Sequence, residues 1–273
     1  MDTSTSVEIS DNRNKSVLTI AGSDPSGGAG IQADLKVFSY LGLNGLSVLT
    51  AITAQNTKGV QATYAVPRQQ VRAQLESLAD DSRPVCSKTG MLPSVDIIEE
   101  VADAGRSGWP GLLVIDPVLN STGGSYLADK ACAASLIKLL VPECCLITPN
   151  LPEAVALTGR DIISAEDAKD AARFLVDAGA GAACITGGHW PGAPNDYLFD
   201  GEKMYTLAGT RYNETEHLHG TGCHFSAAIV GYIALGEKLP AAVEKAKRLV
   251  EKAIRAASSP GTGMKVLSLS QTI

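Results

Sequence analysis

Apolar and polar positions along this chain fall into two alternating rhythms. Short runs at Val17 to Ala21, Leu46 to Ala54, Leu112 to Ile115, Cys145 to Thr148 and Ala182 to Thr186 are largely apolar and bounded by turn residues, a pattern that predicts buried strands. Between them the period lengthens to that of a helix. A helix is predicted from near Gly30 to Leu41. After Pro67, Val71, Leu75 and Leu78 share one face; after Pro240, Val243, Leu249, Val250, Ala253, Ile254 and Ala257 do the same, with Glu244–Arg248 and Glu251–Arg255 spaced as i,i+4 pairs on the wet side. Tyr197 to Phe199 and Met204 to Leu207, joined through Asp200-Gly201-Glu202-Lys203, predict a hairpin. Strands alternating with helices imply right-handed crossovers, hence an α/β fold with a mostly parallel central sheet between layers of helices.

Composition narrows the reading. The 273 residues are long enough for one large core. One domain over 17–273 is expected, after a disordered tail over 1–16 that is polar, mixed in charge and without the apolar stretch of a secretory signal. No run of eighteen apolar residues predicts a membrane span, so a cytoplasmic protein is expected. The net charge of −6, with Lys and Arg spread along helices, speaks against a nucleic-acid surface. The six cysteines contain no C-x-x-C pair, which suits core thiols in a reducing compartment rather than a zinc knuckle or disulfide framework.

In open α/β sheets ligands collect at the carboxyl ends of the strands, and the loops there carry the unusual residues. The richest is Leu218-His219-Gly220-Thr221-Gly222-Cys223, a glycine turn that delivers a cysteine onto the first turn of an apolar helix. Unpaired N–H groups and the helix dipole make such an end an anion cradle. The same field predicts a lowered thiol pKa for Cys223, unless Gly220 and Gly222 merely turn the chain and Cys223 fills space. The loop from Gly22 to Gly30 includes a literal G-x-G-x-x-A match at Gly28 to Ala33. It lacks the acidic partner about 20 residues on that a dinucleotide site requires. No P-loop and no G-x-S-x-G elbow occur. Asp116-Pro117-Val118 follows a strand and offers a carboxylate to magnesium, or simply a turn. Asn150 and Glu153 have capping-box spacing, which is compatible with Glu153 also holding a hydrated cation. Thr186-Gly187-Gly188-His189 permits close approach by a phosphate, with His189 either a loop hydrogen-bonder or a catalyst. Together these features are the kit for phosphoryl transfer.

Six ordered motifs carry a closer likeness: Ala21 to Lys36, Thr53-Ala54-Gln55-Asn56-Thr57, Lys88-Thr89-Gly90-Met91-Leu92, Asp116-Pro117-Val118, Thr148 to Ala154, and His219-Gly220-Thr221-Gly222-Cys223. From about Val17 onward the chain resembles the hydroxymethylpyrimidine and hydroxymethylpyrimidine-phosphate kinases of thiamine biosynthesis, in the ribokinase-like superfamily. The resemblance implies a three-layer αβα sandwich, ATP with Mg2+ as phosphoryl donor, a small aminopyrimidine alcohol or its phosphate as acceptor, and a homodimer. Carried over by position, Gln55 contacts the aminopyrimidine edge, in a pocket shared with Gly22, Asp34, Met91 and Val118. Gly220, Thr221 and Gly222 donate to the transferred phosphoryl, and Cys223 stands where ribokinase relatives carry an aspartate base. Asp116 and Glu153 order magnesium, while Asn150, Thr186 and Gly188 face the nucleotide. Thr186 occupies a position where relatives commonly carry lysine, and Lys88 is the candidate to replace that charge. Leu218 replaces a common threonine, and Asn120 to Gly124 form an atypical loop. A pyridoxal kinase of the same superfamily and a non-catalytic vitamin-binding relative are the rival readings.

Overall fold

The computed structural model describes residues 15–119, 130–188, 190, 192–212 and 218–269. Their elements run β1 (Ser16–Ser23), α1 (Gly30–Tyr40), β2 (Asn44–Asn56), β3 (Gly59–Ala65), α2 (Arg68–Asp81), β4 (Cys86–Thr89), α3 (Val95–Arg106), β5 (Leu112–Ile115) and α4 (Lys130–Ser135). Leu136–Leu140 continue α4 as a wider π turn. Then come β6 (Leu146–Ile147), α5 (Leu151–Thr158), α6 (Ala165–Asp177), β7 (Ala183–Ile185), β8 (Asp196–Phe199), β9 (Met204–Leu207), β10 (Leu218–His219), α7 (Thr221–Ala234), α8 (Leu239–Arg255) and β11 (Lys265–Val266).

Nine strands form one sheet in the order β3-β2-β1-β4-β5-β6-β7-β8-β9. The six from β2 to β7 are parallel, with β3 antiparallel at one edge and the β8–β9 hairpin at the other. Side chains of successive strand residues point to opposite faces, and the core splits accordingly. Leu18, Ile20, Leu113, Ile115 and Ile147 pack on one side with Val71 and Leu75 of α2 and Ile97 and Ile98 of α3. Val17, Cys86, Val114, Leu146 and Cys184 pack on the other with Val37 and Phe38 of α1, Phe225 and Ile229 of α7, and Val243 and Leu249 of α8. This is the expected αβα arrangement, and no helix among the described residues is long and apolar enough to cross a membrane.

The differences from expectation have local causes. β3 is an exposed edge strand without an apolar run, and β4 carries Ser87, Lys88 and Thr89 into the interior, so neither looks like a strand in a hydropathy pattern. Glu244 and Arg248 pair as spaced. The Glu251–Arg255 pair is not made side chain to side chain: the Glu251 carboxylate accepts the Thr210 N–H at 3.2 Å, and Arg255 Nε reaches the Glu251 carbonyl instead. All six cysteines are free thiols. β1 begins at Ser16, which the sequence reading assigns to the N-terminal tail; residues 1–14 lie outside the described residues. Asn120 to Gly124 and His189 lie outside the described residues.

Candidate active site

Strand parity assembles the centre of the site. Thr19 shares its face of β1 with Val17, and Lys88 shares its face of β4 with Cys86, so both point toward α1 and α7. There Lys88 Nζ lies 3.2 Å from Asp34 Oδ1 of α1 and 3.5 Å from Asp116 Oδ2 at the end of β5, while Thr19 donates to Asp34 Oδ2 at 2.6 Å. Lys88 and Asp34 are both 0% exposed. Burial alone would strip the lysine of its proton, but Asp34, Cys223 and Asp116 hold its pKa above the ordinary value. Burial raises the Asp34 carboxyl even against Lys88 and Thr19. Two expectations change here. Lys88 is enclosed by carboxylates rather than presented to nucleotide phosphates, and Asp34 spends its carboxylate on Lys88 and Thr19 beneath the site rather than lining its surface.

The start of α7 lies against this cluster. Gly220 is its N-cap, at φ +86, and a Cβ there would stand 1.8 Å from the Gly28 carbonyl oxygen, so glycine is the residue that fits. The N–H groups of Thr221, Gly222 and Cys223 belong to the first turn, which has no acceptors of its own. Ser226, one turn on, donates to Asp116 Oδ2 at 2.9 Å and ties helix to strand end. His224 is buried; its Nδ1–H donates to the Gly220 carbonyl at 2.8 Å, and burial pushes its pKa down to about 4. The Cys223 thiol departs from expectation. Burial pushes it up to about 12, with Asp34 and Asp116 adding to the rise, against the pull of Lys88 and the Gly30 N–H. The lowering expected from the helix start is thus outweighed, first by burial and then by the two carboxylates.

On the β1–β2 side, a Cβ on Gly22 would stand 3.3 Å from Met91 Sδ, so these two pocket candidates adjoin. Gln55, at the end of β2, has its Nε2 2.8 Å from His219 Nε2, which is also 2.9 Å from Asp24 Oδ2. Asp24 stitches the glycine loop together by accepting from Ser26, Gly28 and Ala29 N–H and from Ser26 Oγ. Burial works against ionisation, yet the His219 and Ser26 hydrogen bonds hold this carboxyl below its usual value. Val118 is half-buried, with its N–H on the Asp116 carbonyl.

At the ends of β6 and β7, Asn150 and Glu153 form the capping box that their spacing predicts, and Asn150 bridges Thr186. Burial, then the charge of Asp116, pushes the Glu153 carboxyl well above the ordinary range. The Gly187 N–H donates to Asp196 Oδ1 at 2.8 Å, whose Oδ2 takes Lys247 Nζ at 2.6 Å, while a Cβ on Gly188 would meet nothing within 4 Å. So the described sequence-derived candidates gather along the carboxyl edge of the parallel strands, with Asp34 beneath them. Sequence reading assigned no role to Asp24, His219, Ser226, Asp196 or Lys247. Asp24 carried a usable signal, a lone acid inside a glycine-rich strand-end loop; the others became visible only through contacts distant in sequence.

Residues 24–268 match the family model described as phosphomethylpyrimidine kinase. The chain belongs to this family. It is 44% identical over 248 residues to the hydroxymethylpyrimidine/phosphomethylpyrimidine kinase of Bacillus subtilis (strain 168), covering 90% of this chain and 91% of that protein. The phosphomethylpyrimidine kinase of Clostridium difficile 630 superposes with a TM-score of 0.79 at 40% identity, covering 88% of this chain and 99% of the other. The pyridoxal kinase of Staphylococcus aureus in complex with AMP-PCP and pyridoxal superposes with a TM-score of 0.84 at 34% identity, covering 93% and 92%.

Proposed function

We propose that this kinase transfers the γ-phosphoryl group of ATP to the hydroxymethyl oxygen of 4-amino-5-hydroxymethyl-2-methylpyrimidine, and in a second round to the phosphate of its monophosphate, with residues 17–273 acting as one unit. The observation that carries this reading is the start of α7, held by Ser226 against Asp116 beside the buried Lys88. Gly220, Thr221 and Gly222 direct backbone N–H groups to the migrating phosphoryl, where developing charge is stabilised without reorganisation. As the hydroxymethyl oxygen bonds to phosphorus and the bond to the ADP oxygen breaks, Cys223 as thiolate takes the hydroxyl proton.

The resting thiol, at about 12, must first be made acidic. Asp116 and Glu153 are the residues to hold Mg2+ through oxygen and water. Burial and then the charge of Asp116 raise the pKa of Glu153, and two neighbouring carboxylates suit a cation held by one or two carboxylates plus waters. Such a cation supplies positive charge that offsets the carboxylates opposing the thiolate. Asn150, Thr186 and Gly188 border the nucleotide side. The exposed Ile52 and Tyr64, directly paired across β2 and β3, give the expected homodimer an apolar contact.

A second reading, pyridoxal phosphorylation, draws on the superposition with the pyridoxal kinase at 34% identity. ADP release measured with the pyrimidine alcohol, its monophosphate and pyridoxal in turn separates the readings. Turnover with both pyrimidines and little with pyridoxal is expected. The reverse preference establishes the second reading, and nucleotide binding without ADP release establishes a non-catalytic relative.

A further inference from the structure

The turn between β7 and β8 is fastened by an ion pair that phosphoryl transfer as set out above does not use. Asp196 is 6% exposed. Its Oδ1 accepts the Gly187 N–H at 2.8 Å, and its Oδ2 accepts Lys247 Nζ of α8 at 2.6 Å. The same ammonium donates to the Pro194 carbonyl at 2.9 Å. Two glycines let these groups meet: a Cβ on Gly187 would overlap the Asn195 carbonyl oxygen, and one on Gly209 would stand 2.9 Å from Lys247 Nζ. One helical turn after Lys247, Glu251 accepts the Thr210 N–H at 3.2 Å, and Asn195 Oδ1 accepts the Gly209 N–H at 3.3 Å. α8 thus grips both the β7–β8 turn and the segment that follows β9.

A buried ion pair returns little net stability, so what this one contributes is position. Asp196 draws the Gly187 N–H toward the interior, whereas a Cβ on Gly188 would meet nothing within 4 Å, so the open face of the loop begins at Gly188. Thr186 brings no charge to this loop, and the Lys247 ammonium beside it is committed to Asp196 with only 13% of its side chain exposed. What Thr186 to Gly188 offer an anion is therefore N–H and hydroxyl dipoles rather than a cation. Such contacts weaken steeply with misalignment, and a loop fixed in advance loses less freedom when its ligand arrives. We propose that Lys247 and Asp196 are positioning residues for the nucleotide. Lys247 fixes Asp196, Asp196 fixes Gly187, and Gly187 holds Thr186 and Gly188 where the phosphates of MgATP meet them. The assignment rests on the kinase reading above. The pair lies 51 residues apart in sequence and joins α8 to the start of β8.

Hydrogen exchange of the full chain tests the grip without any substitution. The Gly187 amide should exchange at least about a hundredfold slower than an unstructured amide, and exchange at the unstructured rate overturns the proposal. Steady-state kinetics then test its purpose. Lys247→Met strands the Asp196 carboxylate and should raise KM for MgATP at least about tenfold, with a smaller change in kcat and with KM for the pyrimidine alcohol within about twofold of the parent. A fall in kcat alone, or an equal rise in both KM values, marks a merely structural role and refutes the assignment. Adding Asp196→Asn to Lys247→Met removes the stranded charge yet keeps an acceptor for the Gly187 N–H, and should bring KM for MgATP back to within about threefold of the parent. A double variant no better than Lys247→Met means that the ammonium contacts the nucleotide itself, and the positioning role falls. If calorimetry finds no MgATP binding to the parent, the kinase reading fails and the assignment with it; a parent that binds MgATP while both variants match its KM refutes the assignment alone.

Discussion

Two ion clusters in this molecule use similar side chains to opposite ends. Between α2 and α3, the half-exposed Arg68 and Arg72 surround the buried Glu100, and Arg68 also reaches the exposed Glu99 at 3.0 Å. The guanidiniums are half in water, and their hydrogen bonds, that of Arg72 foremost, hold the Glu100 carboxyl below its ordinary value. Each acid there has a base to match. At the carboxyl edge of the sheet, Asp34 and Asp116 flank one cation, Lys88, and Glu153 lies within electrostatic reach of Asp116, all with essentially no exposure. Burial raises Asp34 and Glu153 rather than lowering them. A fold built only for stability has little reason to keep this imbalance, since buried charge costs more than its pairing returns. The surplus of acids is what the proposed hydrated cation would use, and the helix start beside it would supply the opposite field for phosphate.

Substitutions can break this contrast, and the deepest should have the largest effect. Lys88→Met leaves Asp34 and Asp116 without their cation and is expected to cost about 3–5 kcal/mol in urea unfolding, less whatever the carboxylates recover by protonation. A loss no greater than that of a surface substitution would show that Lys88 is not the keystone of the buried cluster.

Next comes a pH effect at the α7 entry. His224 is neutral when folded, with a pKa of about 4 against an ordinary 6.5, so below pH 6.5 the unfolded chain binds the proton that the folded one refuses. Stability should therefore rise with pH across this window and be lost on acidification, by at most about 3 kcal/mol from this group. His224→Asn, which retains a donor near Nδ1, should flatten the profile; an unchanged slope in thermal denaturation from pH 4 to 6.5 would remove the histidine from the account.

Cys223→Ala should lower kcat at least about tenfold while leaving the unfolding midpoint near the parent, because a positioned base contributes rate rather than fold. Steady-state turnover equal to the parent rejects the base assignment. A smaller stability change than at Lys88 is expected between α2 and α3: Arg72→Gln removes one half-exposed guanidinium from Glu100, which keeps Arg68, and should shift the urea midpoint far less than Lys88→Met. A shift rivalling that of Lys88→Met would erase the distinction between the two clusters.

Local chemistry was legible in the sequence wherever a short window contains the whole cause. The alternation of apolar runs and amphipathic periods marks the main strands and helices, because burial on one face or both imprints its period on neighbouring residues. Asn150 and Glu153 form their capping box because both partners lie within one turn. Gly220 sits at the helix start that its glycine-rich context implies. The six motifs that suggest a pyrimidine kinase line one edge of the sheet, as a parallel α/β fold requires. What no window contains is which strand lies beside which. The order β2-β1-β4-β5 and the strand parity together bring Thr19, Asp34, Lys88 and Asp116 into contact. They thereby turn Lys88 from a phosphate candidate into a buried counter-charge and Cys223 from an expected thiolate into a resting thiol. The Asp24–His219 contact likewise exists only once the chain has closed on itself. Periodicity and capping are set by neighbours in sequence, whereas electrostatics in a dry interior is set by neighbours in space, and those belong to the tertiary structure alone.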